Sequence, residues 1–390
     1  ATMGCYINST NERLYGALET EFGTAASLTT QDRLSFRSLK LKEETIRAAR
    51  RDKTGSRTRF APHPEVRTEN TFDLLCYFPG RDPGNPVDAM TNLVESALGG
   101  ERKTVSGLVV SATSATPPGL TFASPHGLSI GQGLRFGGQL RFVKAVPNAL
   151  SVLLSAPFDN GVQSGSALGV SATLYPGEKP RSITLGNYWT PGAGLDRVLA
   201  GSVIDEVEIS LNSDFHGARF RGITREVVSA SSFMAGSTGL NQFPAEPIAN
   251  YQSTLLVPGH IGRIFLGGVE FYLLSLSLRL KNGVDARARE FGLNVAPCYS
   301  ADLREVSVQF GLYANTKEAV AGLHSMARQR QETDLSIQLG NRAGQLAGIH
   351  IPRFIPEIPE IADAESRVVM SYPASLAYGV VNDELSIAFA

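Results

Sequence analysis

Cysteine is nearly absent from this 390-residue chain, and the three present, Cys5, Cys76 and Cys298, are far apart and odd in number. They form no CxxC pair, which excludes a disulfide framework and a four-cysteine zinc site and fits a reducing compartment. The six histidines, His63, His126, His216, His260, His324 and His350, stand singly. None has the i, i+4 partner that brings two ligands to one metal. There is a single tryptophan, Trp189, so a cleft lined with aromatic platforms for sugars lacks its usual material. Net charge is also missing: the formal value is -1, which argues against a dedicated nucleic-acid binder with a strongly basic domain. No apolar run approaches the roughly 20 residues of a membrane span, and no charged-then-apolar leader opens the chain. The expectation is a soluble protein without a membrane anchor, made in a cytoplasm and long enough for two or three domains.

Catalytic signatures are equally thin. Gly127-Leu-Ser129-Ile-Gly131 matches G-x-S-x-G, but that pattern activates a serine only on a sharp strand-to-helix turn, and Gly-rich β sequence follows here. Gly131-x-Gly133 with Gly137 has no helix N-terminus behind it to meet a pyrophosphate. Glu206 and Glu208 share one face of a strand, about 7 Å apart at roughly 3.3 Å per residue, a spacing compatible with glycoside hydrolysis. Glycosidase carboxylates, however, come from different elements and an aromatic cleft. The competing reading is a polar face looking onto solvent or a channel. The expectation is no enzyme, with catalytic, metal and cofactor residues all assigned as none.

What the chain does contain is β pattern. Phe271 to Leu280 places Leu274, Leu276, Leu278 and Leu280 on one face against Ser275, Ser277 and Arg279 on the other, the period of a half-buried strand. Val306 to Leu312 repeats the alternation. Asn315, with Glu318 three residues on, predicts a capping box opening a helix to about Gln329, with Ala319, Val320, Leu323, Met326 and Ala327 along its stripe. Leu335 to Leu339 returns to period two, and Leu385 to Phe389 supplies a last strand. A similar order stands earlier: strands at Arg57 to Phe60 and Phe72 to Phe78, then a helix capped by Asn85 with Pro86 at its first position. That helix has Val87, Met90, Leu93, Val94, Ala97 and Leu98 on one stripe and stops at Gly99-Gly100. Strands at Arg181 to Leu185, Val203 to Leu211 and Gly217 to Val228 follow. Two strands, a helix and more strands, written twice, suggest two domains of one type; an ordinary α+β chain with this order by chance is the alternative.

Three further stretches differ in character. The first sixty residues are charged and lack apolar periodicity, reading as an arm laid over something else. Between Arg33 and Arg59 ten basic residues (Arg33, Arg37, Lys40, Lys42, Arg47, Arg50, Arg51, Lys53, Arg57 and Arg59) stand against Glu43, Glu44 and Asp52, as a solvated surface, half of a protein interface or a phosphate contact. Residues 104 to 174 hold only Arg135, Arg141, Lys144 and Asp159 as charges, with ten glycines. Short apolar runs between Gly and Pro turns there, at Gly107 to Ser111, Gly133 to Phe136, Leu140 to Val146 and Leu150 to Leu154, predict a small all-β insert. Residues 229 to 256 read as an irregular linker.

Taken together, Tyr15 to Thr24 (YGALETEFGT), the arm into Arg50 to Arg57 (RRDKTGSR), the Thr71 to Phe78 strand, the helix ending in Ala97-Leu-Gly-Gly100, the strand-rich Gly201 to Val228 and the closing Asp383 to Phe389 (DELSIAF) resemble the major tail tube proteins of long-tailed bacteriophages. The likeness spans most of the chain and rests on element order. It implies a β-rich α+β chain of two tail-tube-type β-sandwich or barrel domains, each with one packed helix, plus the insert. The boundaries are 1–56 for the arm, 57–103 with 175–228 for the first tube domain, 104–174 for the insert, 229–256 for the linker and 257–390 for the second tube domain. It further implies a virion protein, assembled in the bacterial cytoplasm, whose partners are copies of itself in stacked homotrimeric rings of pseudo-sixfold symmetry, with hexamers as the alternative. Tape measure and tail terminator proteins would be the other partners, and double-stranded DNA would pass without specific binding. The lumen-facing candidates are Glu206, Glu208, Ser210, Ser275 and Ser277, and the inter-ring arm candidates are Arg47, Arg50, Arg51, Lys53 and Arg57. Arg279 fits a DNA lumen only if an acidic neighbour pairs with it. The rivals are a carbohydrate- or receptor-binding β protein, for which the insert offers only Phe122, Phe136, Phe142 and Phe158 as aromatics, and the inner tube of a contractile injection system.

Overall fold

The computed structural model describes residues 6–48, 52–61, 66–79, 88–159, 161–189, 194–247, 256–287, 290–364 and 366–390. Its first elements are β1 (Arg13–Leu18), β2 (Arg33–Leu34), β3 (Phe36–Ile46), β4 (Arg67–Tyr77) and α1 (Ala89–Leu98). β5 (Gly99–Val105) leads into β6 (Val110–Ala115), β7 (Pro118–Phe122), β8 (Gly133–Phe136), β9 (Gln139–Asn148) and β10 (Ser151–Leu154). There follow β11 (Ser171–Pro176), β12 (Ile183–Tyr188), β13 (Arg197–Leu211) and β14 (Gly217–Ser229). The second half holds β15 (Gly262–Leu266), β16 (Val269–Phe271), β17 (Ser275–Lys281), β18 (Val284–Asp285), β19 (Ser300–Ala301) and β20 (Glu305–Tyr313). It ends with α2 (Glu318–Gln329), β21 (Thr333–Leu339), β22 (Ala347–Phe354), β23 (Glu360–Ala364), β24 (Arg367–Leu376) and β25 (Ser386–Phe389). The molecule is β-rich, with two α-helices among the described residues and several antiparallel sheets, the largest curled into a half-barrel.

That largest sheet has eleven strands, and β13 is its hinge. One edge of β13 pairs with β14 along nearly its whole length. The other edge is shared: residues 197–202 pair with β12, while Glu206 to Leu211 pair with β17. Gly201, at φ 66°, sits at the bulge in the β12–β13 pairing, between Leu199 and Ser202, in a left-handed conformation that a side chain resists. From β13 the path runs one way through β14 and β4 to β3, and the other way through β17, β20 and β24 to β23. The spatial order is therefore β3-β4-β14-β13 followed by β17-β20-β24-β23. In each set of four the strands come first, second, fourth and third along the chain, and a helix follows the second. The same topological unit occurs twice, joined edge to edge by the β13–β17 pair. The seven-stranded sheet, β16-β15-β21-β22-β25-β11-β5, mixes strands of both halves and does not repeat this order.

Alternation explains which face of the large sheet is dry. Phe72, Leu74 and Cys76 on β4, Val207, Ile209 and Leu211 on β13, and Leu276, Leu278 and Leu280 on β17 all point to one core. α1 lies in that core, with nine of its ten residues buried, because Leu93, Val94, Ala97 and Leu98 recur at helical spacing. Each such side chain contributes about 1.5–3 kcal/mol of transfer free energy. α2 is more peripheral and buries only Val320, Leu323 and Ala327, with Ala319 and Met326 half-buried.

Several local expectations are corrected. α1 is capped by Asp88, whose Oδ1 accepts from the Thr91 amide at 3.0 Å; Asn85, Pro86 and Val87 lie outside the described residues. The capping box at Asn315 does not form. The N-cap of α2 is Lys317, and Asn315 Oδ1 accepts from the Lys317 amide at 2.9 Å, an Asx turn one step before the helix. Arg57 to Phe60 is not a strand. Phe271 to Leu280 is not continuous: Phe271 ends β16 in the seven-stranded sheet, and the chain crosses over residues 272–274 before β17 enters the other sheet. Residues 1–56, read as an overlying arm, supply β1, whose Leu14 and Tyr15 are fully buried against β12, and β3, which pairs with β4 from Phe36 to Ile46. Arg13 then ties Glu246 of the irregular 229–256 segment to β1 through Nε at 2.5 Å.

Candidate functional site

In-register residues of neighbouring strands share a face, so the pairings that bury leucines inward fix what lies outward. On the face of the large sheet turned away from the core, one row crosses six strands: Lys40 on β3, Asp73 on β4, Arg221 on β14, Glu206 on β13, Lys281 on β17 and Glu305 on β20. The sign of the charge alternates at every step. The next row holds Leu75, Arg219, Glu208, Arg279 and Ser307, and the next again pairs Ser210 with Ser277. Glu206, Glu208, Ser210, Ser275 and Ser277, singled out from sequence, thus lie on one face, with Ser275 opposite Gly311.

The arginines on this face are held. Arg219 grips Asp73 in a bidentate pair, Nε to Oδ1 at 2.8 Å and Nη2 to Oδ2 at 2.5 Å, and holds that carboxyl below the usual carboxylate range. Glu206 Oε1 accepts from both Arg221, at 2.7 Å, and Arg279, at 3.1 Å. The acidic neighbour that Arg279 requires is therefore Glu206. The hydrogen bond that Arg279 donates to Glu206 in turn raises the pKa of Arg279. Lys40, Asp73, Arg219, Arg221, Lys281 and Glu305 were not legible as partners, because each is an ordinary polar position on its own strand and only register aligns them.

Of the arm candidates, Arg47, Lys53 and Arg57 are exposed and outside any strand, whereas Arg50 and Arg51 lie outside the described residues, as do Cys5 and His63. Ser129 Oγ accepts from Lys103 Nζ at 2.9 Å and lies in a loop before β8, not on a strand-to-helix turn. Cys76 is fully buried, and burial pushes its thiol pKa up. Among the described residues no group of three or more His, Cys, Asp or Glu side chains is arranged to hold a metal, and no helix is long and apolar enough to cross a membrane.

The insert forms a five-stranded sheet, β6-β7-β10-β9-β8, with its own core around Val110, Leu120, Val143 and Val152. It is docked on the seven-stranded sheet. Arg141 of β9 is 1 % exposed, yet lies over the Phe265 ring at 4.6 Å and donates to Gln338 Oε1 at 2.6 Å and to the Pro157 carbonyl at 2.9 Å. Gln338 Oε1 also accepts from the Leu140 amide at 3.0 Å, while its Nε2 donates to the carbonyls of Gly138 and Gly340. Gly138 is required there, since a Cβ would stand 1.9 Å from the Asn341 carbonyl. Lys144 reaches Asp334 at 2.7 Å, and Phe142 stacks on His350 at 5.0 Å.

His350 is fully buried in this seam, and burial pulls its pKa from 6.5 to about 4, with Asp334 opposing and Lys144 assisting. Between those values the unfolded chain holds a proton that the folded one refuses, so stability falls as pH drops through the window. The loss approaches about 3 kcal/mol by pH 4. Denaturant melts at pH 7 and pH 4 are expected to show this difference, and His350→Gln to remove most of it; an unchanged slope in the variant would assign the acid loss elsewhere, with His216, also lowered by burial, the next group to test.

No family model matches the chain, and a search of curated proteins finds no match either.

Proposed function

We propose that the chain is a tube-forming structural subunit of a long-tailed bacteriophage tail, a non-enzymatic conduit built of rings of itself. One observation carries the reading: the four-strand unit of the large sheet occurs twice, and its outermost strands, β3 and β23, are the strands that the unit uses for joining. Inside the chain the last strand of the first unit, β13, pairs antiparallel with the first strand of the second, β17. The last strand of the second unit, β23, and the first strand of the first, β3, run in opposite directions through seven successive antiparallel pairs, so β23 of one copy meets β3 of the next in the same sense. Such a contact is heterologous, can close into a ring, and would pair the two outer edges of the eight-strand path.

Three copies supply eight strands each. With strands about 4.8 Å apart and tilted about 40°, the backbone ring is roughly 48 Å across, wide enough to pass a DNA duplex after side chains are added. The charged face then lines the channel, and the insert, docked on the seven-stranded sheet, stands on the outside. The two units per chain favour three-membered rings with pseudo-sixfold symmetry over hexamers. Negative-stain electron microscopy of the concentrated protein, with mass photometry of dilute samples, tests this. Rings or hollow tubes and a species of three-copy mass are expected. A lasting monomer at all concentrations, also in the presence of the tail's initiating proteins, overturns the reading.

A further inference from the structure

The row Lys40, Asp73, Arg221, Glu206, Lys281, Glu305 has no net charge and changes sign from strand to strand. We infer that this face is a phosphate-inert lining, which lets double-stranded nucleic acid slide past by cancelling charge rather than by repelling it with an acidic surface. The inference rests on the tube reading for the presence of DNA at this face, but its physical content is a property of the face alone.

Two arguments support it. Neighbouring strands stand about 4.8 Å apart, so opposite charges alternate over a distance shorter than the Debye length of about 8 Å at physiological salt. The fields of an alternating row cancel within about one repeat of the surface, and a phosphate backbone held a nanometre away meets almost none. Second, the groups best suited to grip phosphate are occupied. A guanidinium binds phosphate through a fork of donors, and the forks of Arg219, Arg221 and Arg279 are turned onto Asp73 and Glu206 within the sheet. Glu206 carries the largest share, since one carboxylate engages two arginines.

Removing Glu206 therefore converts an inert face into a binding one. The experiment measures binding of a linear double-stranded DNA fragment to the purified protein between 50 and 200 mM salt. The wild-type protein, Glu206→Gln, Asp73→Asn and the charge-restored double variant Glu206→Gln/Arg221→Gln are compared. Glu206→Gln frees two guanidiniums, so its log K against log salt is expected to steepen by about 1.8 relative to wild type, about a tenfold additional loss of binding across that range. Asp73→Asn frees Arg219 alone and is expected to steepen it by about 0.9. The double variant is expected to fall back toward the wild-type slope. Binding through the exposed Arg47, Lys53 and Arg57 contributes equally to all four proteins and cancels in the comparison. Slopes identical in wild type, Glu206→Gln and Asp73→Asn overturn the inference, as does a double variant as sticky as the single one. Electron microscopy of the same proteins, with and without the tail's initiating proteins, reads assembly separately, so a protein that forms no tubes in either case but shows the slope changes rejects the tube reading and leaves the lining intact.

Discussion

On the ring assembly proposed above, a chain carrying Ile361→Asp is expected to remain a folded monomer and to form no rings. Ile361 lies on β23 opposite Met370, on the core-facing side of the sheet, yet it is 63 % exposed while Met370 is 6 % exposed. An apolar side chain pointing core-ward but left open is what an edge covered by another strand in the proposed ring would present. The internal junction shows what covering achieves: Val207, Ile209 and Leu211 of β13 face Leu280, Leu278 and Leu276 of β17, and all six are buried. At the far edge Phe36, Leu39 and Leu41 of β3 pack against the core but stay half-buried. Burying an isoleucine contributes about 1.5–3 kcal/mol per contact, and an aspartate in its place adds the cost of desolvating a charge, at every contact around the ring. The monomer itself changes little, within about 0.5 kcal/mol, as for most exposed positions. Mass photometry and thermal melting check both halves: rings of wild-type mass from the variant rule out β23 as the joining edge, and a collapsed melting temperature assigns the loss to folding instead.

Gln338→Leu is expected to be the most damaging single change outside the large core, costing about 4 kcal/mol. The leucine fits the volume, so the cost is electrostatic. The Gln338 amide uses its oxygen twice and both protons, tying β9 and the Gly138 turn of the insert to β21. Its loss leaves the Leu140 amide without its acceptor and takes one anchor from the buried Arg141, whose pKa burial and Arg263 already lower to about 10. A buried cation that loses a partner retains its desolvation cost. Hydrogen exchange is expected to show lost protection along β9 and β21 before the rest of the molecule, and denaturant melts to give the magnitude. A ΔΔG below about 1 kcal/mol with unchanged exchange shows that the insert is held by its other contacts, among them the apolar cluster of Leu140, Phe142, Leu346 and Ala388 and the Lys144–Asp334 pair, without Gln338.

What was legible in the sequence was what short-range periodicity encodes. Glu206, Glu208 and Ser210 face away from Val207, Ile209 and Leu211 as alternation requires, and the Gly-rich low-charge stretch contains the five-stranded sheet β6 to β10 with its own core, while its two ends run into β5 and β11 of the seven-stranded sheet. The five face candidates converge because each was read from its own strand. Their charge partners were hidden, since pairing Lys40 with Asp73 or Glu206 with Lys281 needs the register of strands more than thirty residues apart. The burial of Arg141 was invisible for a different reason: an isolated arginine in an apolar segment reads as surface, and partners such as Gln338, nearly two hundred residues on, are not apparent from its neighbourhood. Caps failed where two candidates competed. Asn315 is a good N-cap residue by type, but it closes an Asx turn, and the helix begins after Lys317. The fifty-odd N-terminal residues misled because β1 is short and apolar at consecutive positions, Leu14 and Tyr15 among them, which gives no alternation to count.

β25 lies between β22 and β11 in the seven-stranded sheet, with Phe389 opposite Ala172. On the ribosome, β11 thus waits more than two hundred residues for one of its neighbours, and the first half cannot finish its sheet until the second half has been made. A product truncated before β25 would leave β11 and β22 each bare on one side, open edges that invite aggregation and proteolysis.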